Sequence, residues 1–269
     1  MVRWLFLIGG VLLVALGLVL PAAAQSDTAR VRFVHAAPDM PPIDVFVDGT
    51  IVLRSVDFPL ISDYLEVQAG SHEVVFAPAG QPVSEAIITA QPTFEAGKAH
   101  TVVAVGLADV TAVVFTDDLS TPPAGKARVR LIHASPDAPR ADVEVIDGPT
   151  LFQGISFAGA SDYQEVDAGM YNLRVVAEGT QTVMMQLLET QFEAGTIYDV
   201  IAVGRLSDIS VRVGTYTPSG DSRTTADGAV PAPPKMMPNT GASALIHVLF
   251  ALGTCLVVAG GLIRSRGGV

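Results

Sequence analysis

ARVRFVHAAPDMPPIDVFVDG, the stretch at residues 29–49, returns almost unchanged as ARVRLIHASPDAPRADVEVIDG at residues 127–148. A unit of about 98 residues has therefore been duplicated, which makes the chain a tandem repeat. A chain of 269 residues has room for two domains of roughly 100 to 200 residues each. We expect two similar domains, over residues 27–118 and 125–216.

Alternating side chains predict that both units consist of β-strands. In residues 30–35 the odd positions Val31 and Phe33 are apolar and both arginines face the other way, a pattern that residues 128–133 repeat. Turn pairs such as Asp48-Gly49 separate the strands, and neither unit has a helical period. About seven or eight short strands per unit predict an all-β fold of two Ig-like or transthyretin-like β-sandwich domains. Because the join STPPAG at residues 120–125 is short and proline-stiffened, we expect the two sandwiches to form a rod.

The two ends of the chain carry export and anchoring patterns. Residues 1–24 combine an early Arg3, an apolar run, Pro21 and three alanines, which is typical of a secretory signal peptide. An uncleaved N-terminal membrane helix is the alternative. Residues 217–236 are rich in Pro, Ser, Thr and Gly and predict an extended linker. The apolar run at residues 242–263 is long enough for a transmembrane helix across a core of about 30 Å.

The C-terminal region, residues 237–269, resembles the sorting signal of sortase-anchored surface proteins, whose pentapeptide is Leu-Pro-any-Thr-Gly. Here the pentapeptide is Met237, Pro238, Asn239, Thr240 and Gly241, followed by the apolar run and a basic tail. The resemblance implies that a sortase-type transpeptidase cuts after Thr240 and joins its carboxyl group to a cell-wall amine. A plain C-terminal membrane anchor is the alternative, and both readings place the repeats outside the cell.

Charge and cysteine content limit the partners of the exported part. The whole chain has a net charge of −11, and three of its 16 basic residues lie in the two end segments. This acidity argues against nucleic acid and anionic lipid as partners, since both carry negative charge. The single cysteine, Cys255, lies in the apolar tail, so the repeats have neither a disulfide nor a thiol ligand for metal.

The motif V-R-h-h-H-A-x-P-D-x-P, where h is apolar, is followed in both repeats by D-V-x-V, by D-G and by Ser-Asp-Tyr, at residues 62–64 and 161–163. This combination resembles the DUF4397 domain, a bacterial and archaeal extracytoplasmic module of unknown function. The resemblance covers most of the exported chain and implies a surface module that often occurs in tandem. It brings no catalytic residues.

The repeated motif supplies the candidate site residues. His35 and His133 end their strands on the inward side, and we expect each ring to bond a loop carbonyl or the nearby aspartate. A metal ligand or proton shuttle is the alternative. The other residues of this structural loop motif are Pro38, Asp39, Pro136 and Asp137. Candidate ligand-binding residues are Asp44, Tyr64, Asp142 and Tyr163, whereas no metal ligand and no cofactor is assigned.

No catalytic motif is present, since the chain has neither a G-x-S-x-G elbow nor the second histidine of a zinc protease motif. The leading hypothesis is a non-enzymatic surface protein, anchored to cell wall or membrane, that acts as a spacer or as a binding module for envelope or extracellular polymer. One alternative is a secreted envelope-glycan hydrolase with two carboxylates about 5 to 10 Å apart near the HAxPD loops. Another is a stalk stiffened by calcium.

Overall fold

The computed structural model describes residues 27–218, and this part of the chain is all-β. The predicted signal peptide, sorting signal and C-terminal helix lie outside these residues, as does the predicted linker apart from residues 217 and 218. Between residues 27 and 218 the chain forms no helix with the length and apolar character that a membrane crossing requires.

The first repeat contains eleven strands and one 3₁₀ turn, Val83–Glu85. In chain order the strands are β1 (Thr28–His35), β2 (Ile43–Val47), β3 (Thr50–Val56), β4 (Leu60–Ile61), β5 (Leu65–Gln68), β6 (Gly70–Ser71), β7 (Val74–Pro78), β8 (Ile88–Ala90), β9 (Thr93–Phe94), β10 (Ala99–Val105) and β11 (Thr111–Asp117).

The second repeat contains nine strands and the 3₁₀ turn Leu206–Asp208. Its strands are β12 (Lys126–His133), β13 (Ala141–Val145), β14 (Thr150–Ile155), β15 (Gly159–Ala160), β16 (Gln164–Asp167), β17 (Gly169–Ala177), β18 (Val183–Phe192), β19 (Ile197–Val203) and β20 (Ser210–Tyr216).

Each repeat has two main sheets with the same strand order. In the first repeat, β11-β10-β1-β4, with β5 also on β1, faces a sheet of order β3-β2-β7-β8. In the second repeat the corresponding orders are β20-β19-β12-β15, with β16 on β12, and β14-β13-β17-β18. The first strand of each repeat pairs in parallel with β10 or β19, and its other neighbours are antiparallel. The expected all-β fold is confirmed, whereas the Ig-like or transthyretin-like topology stays a prediction.

Each repeat buries its own core between its two sheets. In the first repeat Phe33 and Phe76 pack edge to face, with ring centroids 6.2 Å apart, and both are buried. The second repeat buries Leu131, Val175 and Phe192 in the corresponding core. Phe33 and Leu131 occupy the inward positions that the alternation predicts for the first strand of each unit.

A third apolar cluster joins the two repeats. It consists of Val34, Ala36, Val103 and Val105 from the first repeat together with Ile132, Ala134, Ile201 and Val203 from the second. The outer faces of the β1 and β12 sheets are therefore in contact, and both repeats fall within a single compact unit of the chain. The rod expected from the proline-stiffened join would leave these faces in water, and the structure buries them because they carry valine and isoleucine beside the arginines.

Candidate functional site

A network of buried charges lies between the repeats, beside this apolar cluster. Arg32 of β1 and Arg130 of β12 hold equivalent positions and both point to the outer face of their sheets. Arg32 donates from Nε to Thr101 Oγ1 at 2.8 Å and forms an ion pair with Asp199 of the other repeat. A Cβ atom at Gly214 would lie 2.6 Å from Nη1 of Arg32, so glycine makes room for this guanidinium.

Arg130 completes the network from the second repeat. Its Nε donates to Asp199 Oδ1 at 2.6 Å, and its Nη2 pairs with Asp117 of the first repeat. Thr101 Oγ1 donates to Asp117 Oδ2 at 2.6 Å. The charged side chains of Arg32, Arg130, Asp117 and Asp199 are at most 3% exposed. Two guanidinium groups thus face two carboxylates, and the buried charge is balanced.

Two equivalent tyrosines cover this network. The Tyr64 hydroxyl donates to Asp117 at 2.8 Å, and the Tyr163 hydroxyl donates to Asp199 at 3.0 Å. Arg130 Cζ lies 4.5 Å from the ring centroid of Tyr163, which is a cation–π contact. Burial raises the pKa of both tyrosine hydroxyls, so they remain donors. Burial alone would lower the pKa of Arg130, but Asp199, Tyr163 and Asp117 together outweigh it and the net shift is upward.

A groove opens beside the network, with a volume of about 450 Å³. Its lining comes from the first repeat, from the join and from one residue of the second repeat, and includes Arg30, Lys98, Asp117, Asp118, Ser120 and Tyr163. We call it the seam groove. Its volume lies within the range of about 300 to 1,000 Å³ that is typical of small-molecule sites.

Asp118 is held in place at the rim of the seam groove. It accepts hydrogen bonds from the Ser120 amide at 2.9 Å and the Ser120 hydroxyl at 2.6 Å, and it pairs with Arg128 at 2.9 Å. Burial alone would raise the pKa of Asp118, but the Ser120 donors and Arg128 outweigh it and hold the pKa below its usual range. The carboxylate therefore stays ionised and paired.

The two motif histidines are buried at equivalent places, each 1% exposed. Nε2 of His35 lies 3.3 Å from the Pro41 carbonyl oxygen, and Nε2 of His133 lies 3.0 Å from that of Pro139. Because a carbonyl oxygen only accepts, Nε2 carries the proton in both rings. Burial lowers the pKa of both histidines. Neither ring lines the seam groove.

The aspartates of the loop motif are exposed and contact the second repeat. Pro38 and Asp39 form a turn, as do Pro136 and Asp137. Asp39 pairs with Arg205, and Asp137 Oδ1 accepts a hydrogen bond from the Leu206 amide at 2.7 Å. Both side chains therefore contribute to the local structure around the turn at residues 206–208.

The candidate ligand-binding residues divide into two groups. Asp44 accepts hydrogen bonds from the Ser55 amide at 2.7 Å and the Gly80 amide at 2.9 Å, and these donors, Gly80 first, lower its pKa. Asp142 Oδ1 accepts from the Gly154 amide at 2.6 Å. Asp44 thus bonds an amide of β3 and the turn at Gly80, and Asp142 bonds an amide within β14, whereas Tyr64 and Tyr163 lie at the interface and Tyr163 lines the seam groove. Across residues 27–218 no three His, Cys, Asp or Glu side chains are grouped so as to hold a metal ion.

The buried histidines make stability depend on pH. Burial lowers the pKa of His100 as well as those of His35 and His133, and His100 Nε2 accepts a hydrogen bond from the Glu95 amide at 3.0 Å. The unfolded chain then binds more protons below about pH 6.5, so the free energy of unfolding falls as the pH drops from there. We expect His100→Gln to flatten this decline by at most about 1.4 kcal/mol per pH unit, as measured by urea unfolding from pH 7 to 5. An unchanged slope would contradict this assignment.

Sequence reasoning missed the network and most of the seam groove. One signal was present, since Asp199 interrupts an otherwise apolar run at residues 197–203 that predicts a buried strand. A charged residue in such a strand requires a buried partner of opposite charge. The partner could not be identified, because it belongs to the other repeat.

The fold and the interface together define a class of protein, an all-β tandem in which two sandwich-like repeats share one buried charged interface. A family model described as a domain of unknown function, DUF4397, matches residues 29–144 and 129–228. These matches span more than half of the chain, and the chain belongs to the DUF4397 family. The tandem resemblance is thereby confirmed, whereas the sorting signal stays a prediction.

No curated protein matches the chain at a significant level. Among solved structures, the chain is similar to CBMbc (family CBM26) from Eubacterium rectale Amy13K, crystallised in complex with maltoheptaose. The two are 7% identical, the match covers 72% of this chain and 98% of that chain, and the TM-score is 0.21. A TM-score of this size carries no argument about fold or ligand.

Proposed function

We propose that this chain is a non-enzymatic surface protein whose two repeats form one binding module for an envelope or extracellular polymer. The observation that carries the proposal is the seam groove of about 450 Å³, to which both repeats and the join contribute. A site that requires both copies gives the duplication a function that a simple spacer would not need.

The seam groove is supported by a rigid base. Asp117 lies in the groove lining and is bound by Arg130, Thr101 and Tyr64 within the buried network. Tyr163 is fixed by its hydrogen bond to Asp199. Because these side chains are already ordered, a ligand would meet a preformed surface and lose less conformational entropy on binding.

The paired state of the groove carboxylates supports a non-enzymatic role. Asp117 is paired with Arg130 and Asp118 with Arg128, so neither carboxylate is without a partner as a free general acid or base would be. The hydrolase hypothesis invoked acids near the HAxPD loops, and Asp39 and Asp137 there are exposed and bound to residues 205 and 206. No feature of the described residues favours the hydrolase or the calcium-stiffened stalk.

The location of the module is part of the same proposal. The signal peptide would export the chain, and the C-terminal region with Thr240 and its apolar helix would attach it to the wall through a sortase-type transpeptidase or keep it in the membrane. The net charge of −11 supports a soluble exposed module without nucleic-acid partners. Fractionation of the producing cells would test this location, and a mature chain in the cytosol would contradict it.

Filling the seam groove tests the binding function. Thr116 lines the groove on edge strand β11 and is exposed, so Thr116→Trp should occupy the groove without entering a core. We expect the wild-type chain to sediment with isolated cell envelope and the Thr116→Trp variant to lose at least about tenfold in affinity, or 1.4 kcal/mol. The matched control is Thr111→Trp, an exposed position on the same strand outside the groove lining. Equal binding by both variants would place any polymer site elsewhere.

A further inference from the structure

We propose that the seam groove binds an anionic group, a carboxylate or a phosphate carried on a sugar-sized ligand, through Arg30 and Lys98. This inference rests on the proposed binding function and adds the chemical class of the ligand. It depends on which charges of the lining are neutralised by neighbouring side chains and which are free.

Among the described residues Arg30 has no carboxylate partner, whereas the equivalent residue of the second repeat, Arg128, has two. In the second repeat, Arg128 pairs with Asp118 at 2.9 Å and with Glu165, its neighbour across the ladder, at 3.3 Å. In the first repeat Glu66 lies across from Arg30 in the same register, yet within residues 27–218 Arg30 has no ion pair. Its Nη1 donates to the neutral Tyr216 hydroxyl at 2.6 Å instead. Its positive charge is therefore available to a ligand.

Lys98 adds a second free cation to the same lining. It is exposed, it directly precedes β10, and no carboxylate of the described chain lies within ion-pair distance of its ammonium group. The equivalent residue in the second repeat is Thr196, in FEAGT against FEAGK. The positive charge is thus specific to the repeat that supplies most of the groove lining.

The carboxylates of the groove are paired with arginines of the second repeat, Asp117 with Arg130 and Asp118 with Arg128, and Asp118 also feels the charge of Lys98 without forming an ion pair with it. Among the described residues, Arg30 and Lys98 are thus the two cations of the lining that form no ion pair with a carboxylate. Local positive potential in a concave site concentrates anions even where the whole protein is negative.

Tyr163 indicates that the anionic group is carried on a larger ligand. Its hydroxyl is committed to Asp199 and Arg130 lies over one face of its ring, so its contribution to the groove lining would be the remaining part of the ring. An aromatic surface beside charged groups suits a sugar ring, which has apolar C–H faces as well as polar groups. A free inorganic ion would use Arg30 and Lys98 but would leave this surface without a contact.

Calorimetric titration of the purified full-length chain in mild detergent tests the inference. The probes are an oligogalacturonate, which carries carboxylates, an oligomer of glycerol phosphate, which carries phosphodiesters, and a neutral glucan oligomer of equal length. We expect at least one anionic probe to bind at least about tenfold more tightly than the neutral one, with affinity falling as salt rises. Which of the two anionic probes binds shows whether the groove recognises a carboxylate or a phosphate group.

Charge variants assign the binding to the groove. Lys98→Gln and Arg30→Gln should each lower the affinity for the anionic probe by about tenfold, which is the effect of losing one charge-assisted contact. Lys126→Gln is the control, because Lys126 is a partly exposed lysine outside the lining, paired with Asp167. Since Lys98 is exposed, its variant should keep the wild-type thermal unfolding profile, which separates loss of binding from loss of folding.

Two results would overturn the inference, and both leave the proposed function to its own experiment. If the neutral oligomer binds as tightly and Lys98→Gln has no effect, the groove is not an anion site, although the module still binds sugars. If neither anionic probe binds, the anionic class is wrong, and sedimentation with envelope, compared between Thr116→Trp and Thr111→Trp, decides the binding function separately.

Discussion

Asp199→Ala is expected to lower the free energy of unfolding by about 3 to 5 kcal/mol. Asp199 accepts from Arg130 at 2.6 Å and from Tyr163 at 3.0 Å, and it forms the ion pair with Arg32. Its removal leaves two buried guanidinium groups with a single carboxylate, and an uncompensated buried charge is strongly destabilising. Urea unfolding at pH 7, followed by circular dichroism, measures the difference.

The matched control for this prediction is Asp167→Ala. Asp167 pairs with Lys126 at 2.7 Å, and its side chain is 78% exposed. Exposed ion pairs contribute little because water and salt screen them, so this variant should unfold almost as the wild type does. Equal losses in the two variants would show that the interface charges are solvated in solution.

Ile132→Ala is expected to cost about 2 to 5 kcal/mol and to destabilise both repeats together. Ile132 belongs to the second repeat but is fully buried in the cluster that contains Val34 and Val103 of the first. The substitution leaves a cavity between the repeats, so it should weaken both of them. We expect one unfolding transition in the wild type and one in the variant, with the variant unfolding at a lower urea concentration. Scanning calorimetry counts the unfolding transitions. Tryptic digestion at each urea concentration shows whether the two repeats unfold together.

Val114→Ala provides the comparison for Ile132→Ala. Val114 is 38% exposed on β11, so its shortening should change stability by no more than about 0.5 kcal/mol. Two well-separated transitions in the wild-type chain, with only the second one shifted by Ile132→Ala, would contradict a shared interface and would favour the rod that the join sequence indicates.

The sequence predicted the strands and the interior of each repeat, because a period of two assigns side chains to opposite faces. Val31 and Phe33 followed that rule and are buried. It failed for the other face of β1, where Arg32 indicates contact with solvent but is 2% exposed. Alternation tells which side chains share a face, but it does not tell what covers that face.

The candidate site was predictable only in part, for a similar reason. The loop carbonyls that meet His35 and His133 come from residues close in sequence, so local spacing could anticipate them. The seam groove combines Arg30 and Lys98 with Tyr163, which lies in the other repeat. No spacing within one repeat relates these residues, and only the packing of one copy on the other brings them together.

The contact between the β1 and β12 sheets also limits how far this duplication can be extended. Each repeat has one such face, and the other repeat already covers it. The association is therefore complete with two repeats, as in an isologous dimer. A third copy added to the chain would have no complementary face and would expose its own arginines and valines to water. Longer arrays of these domains would therefore grow in even numbers, as a series of paired modules.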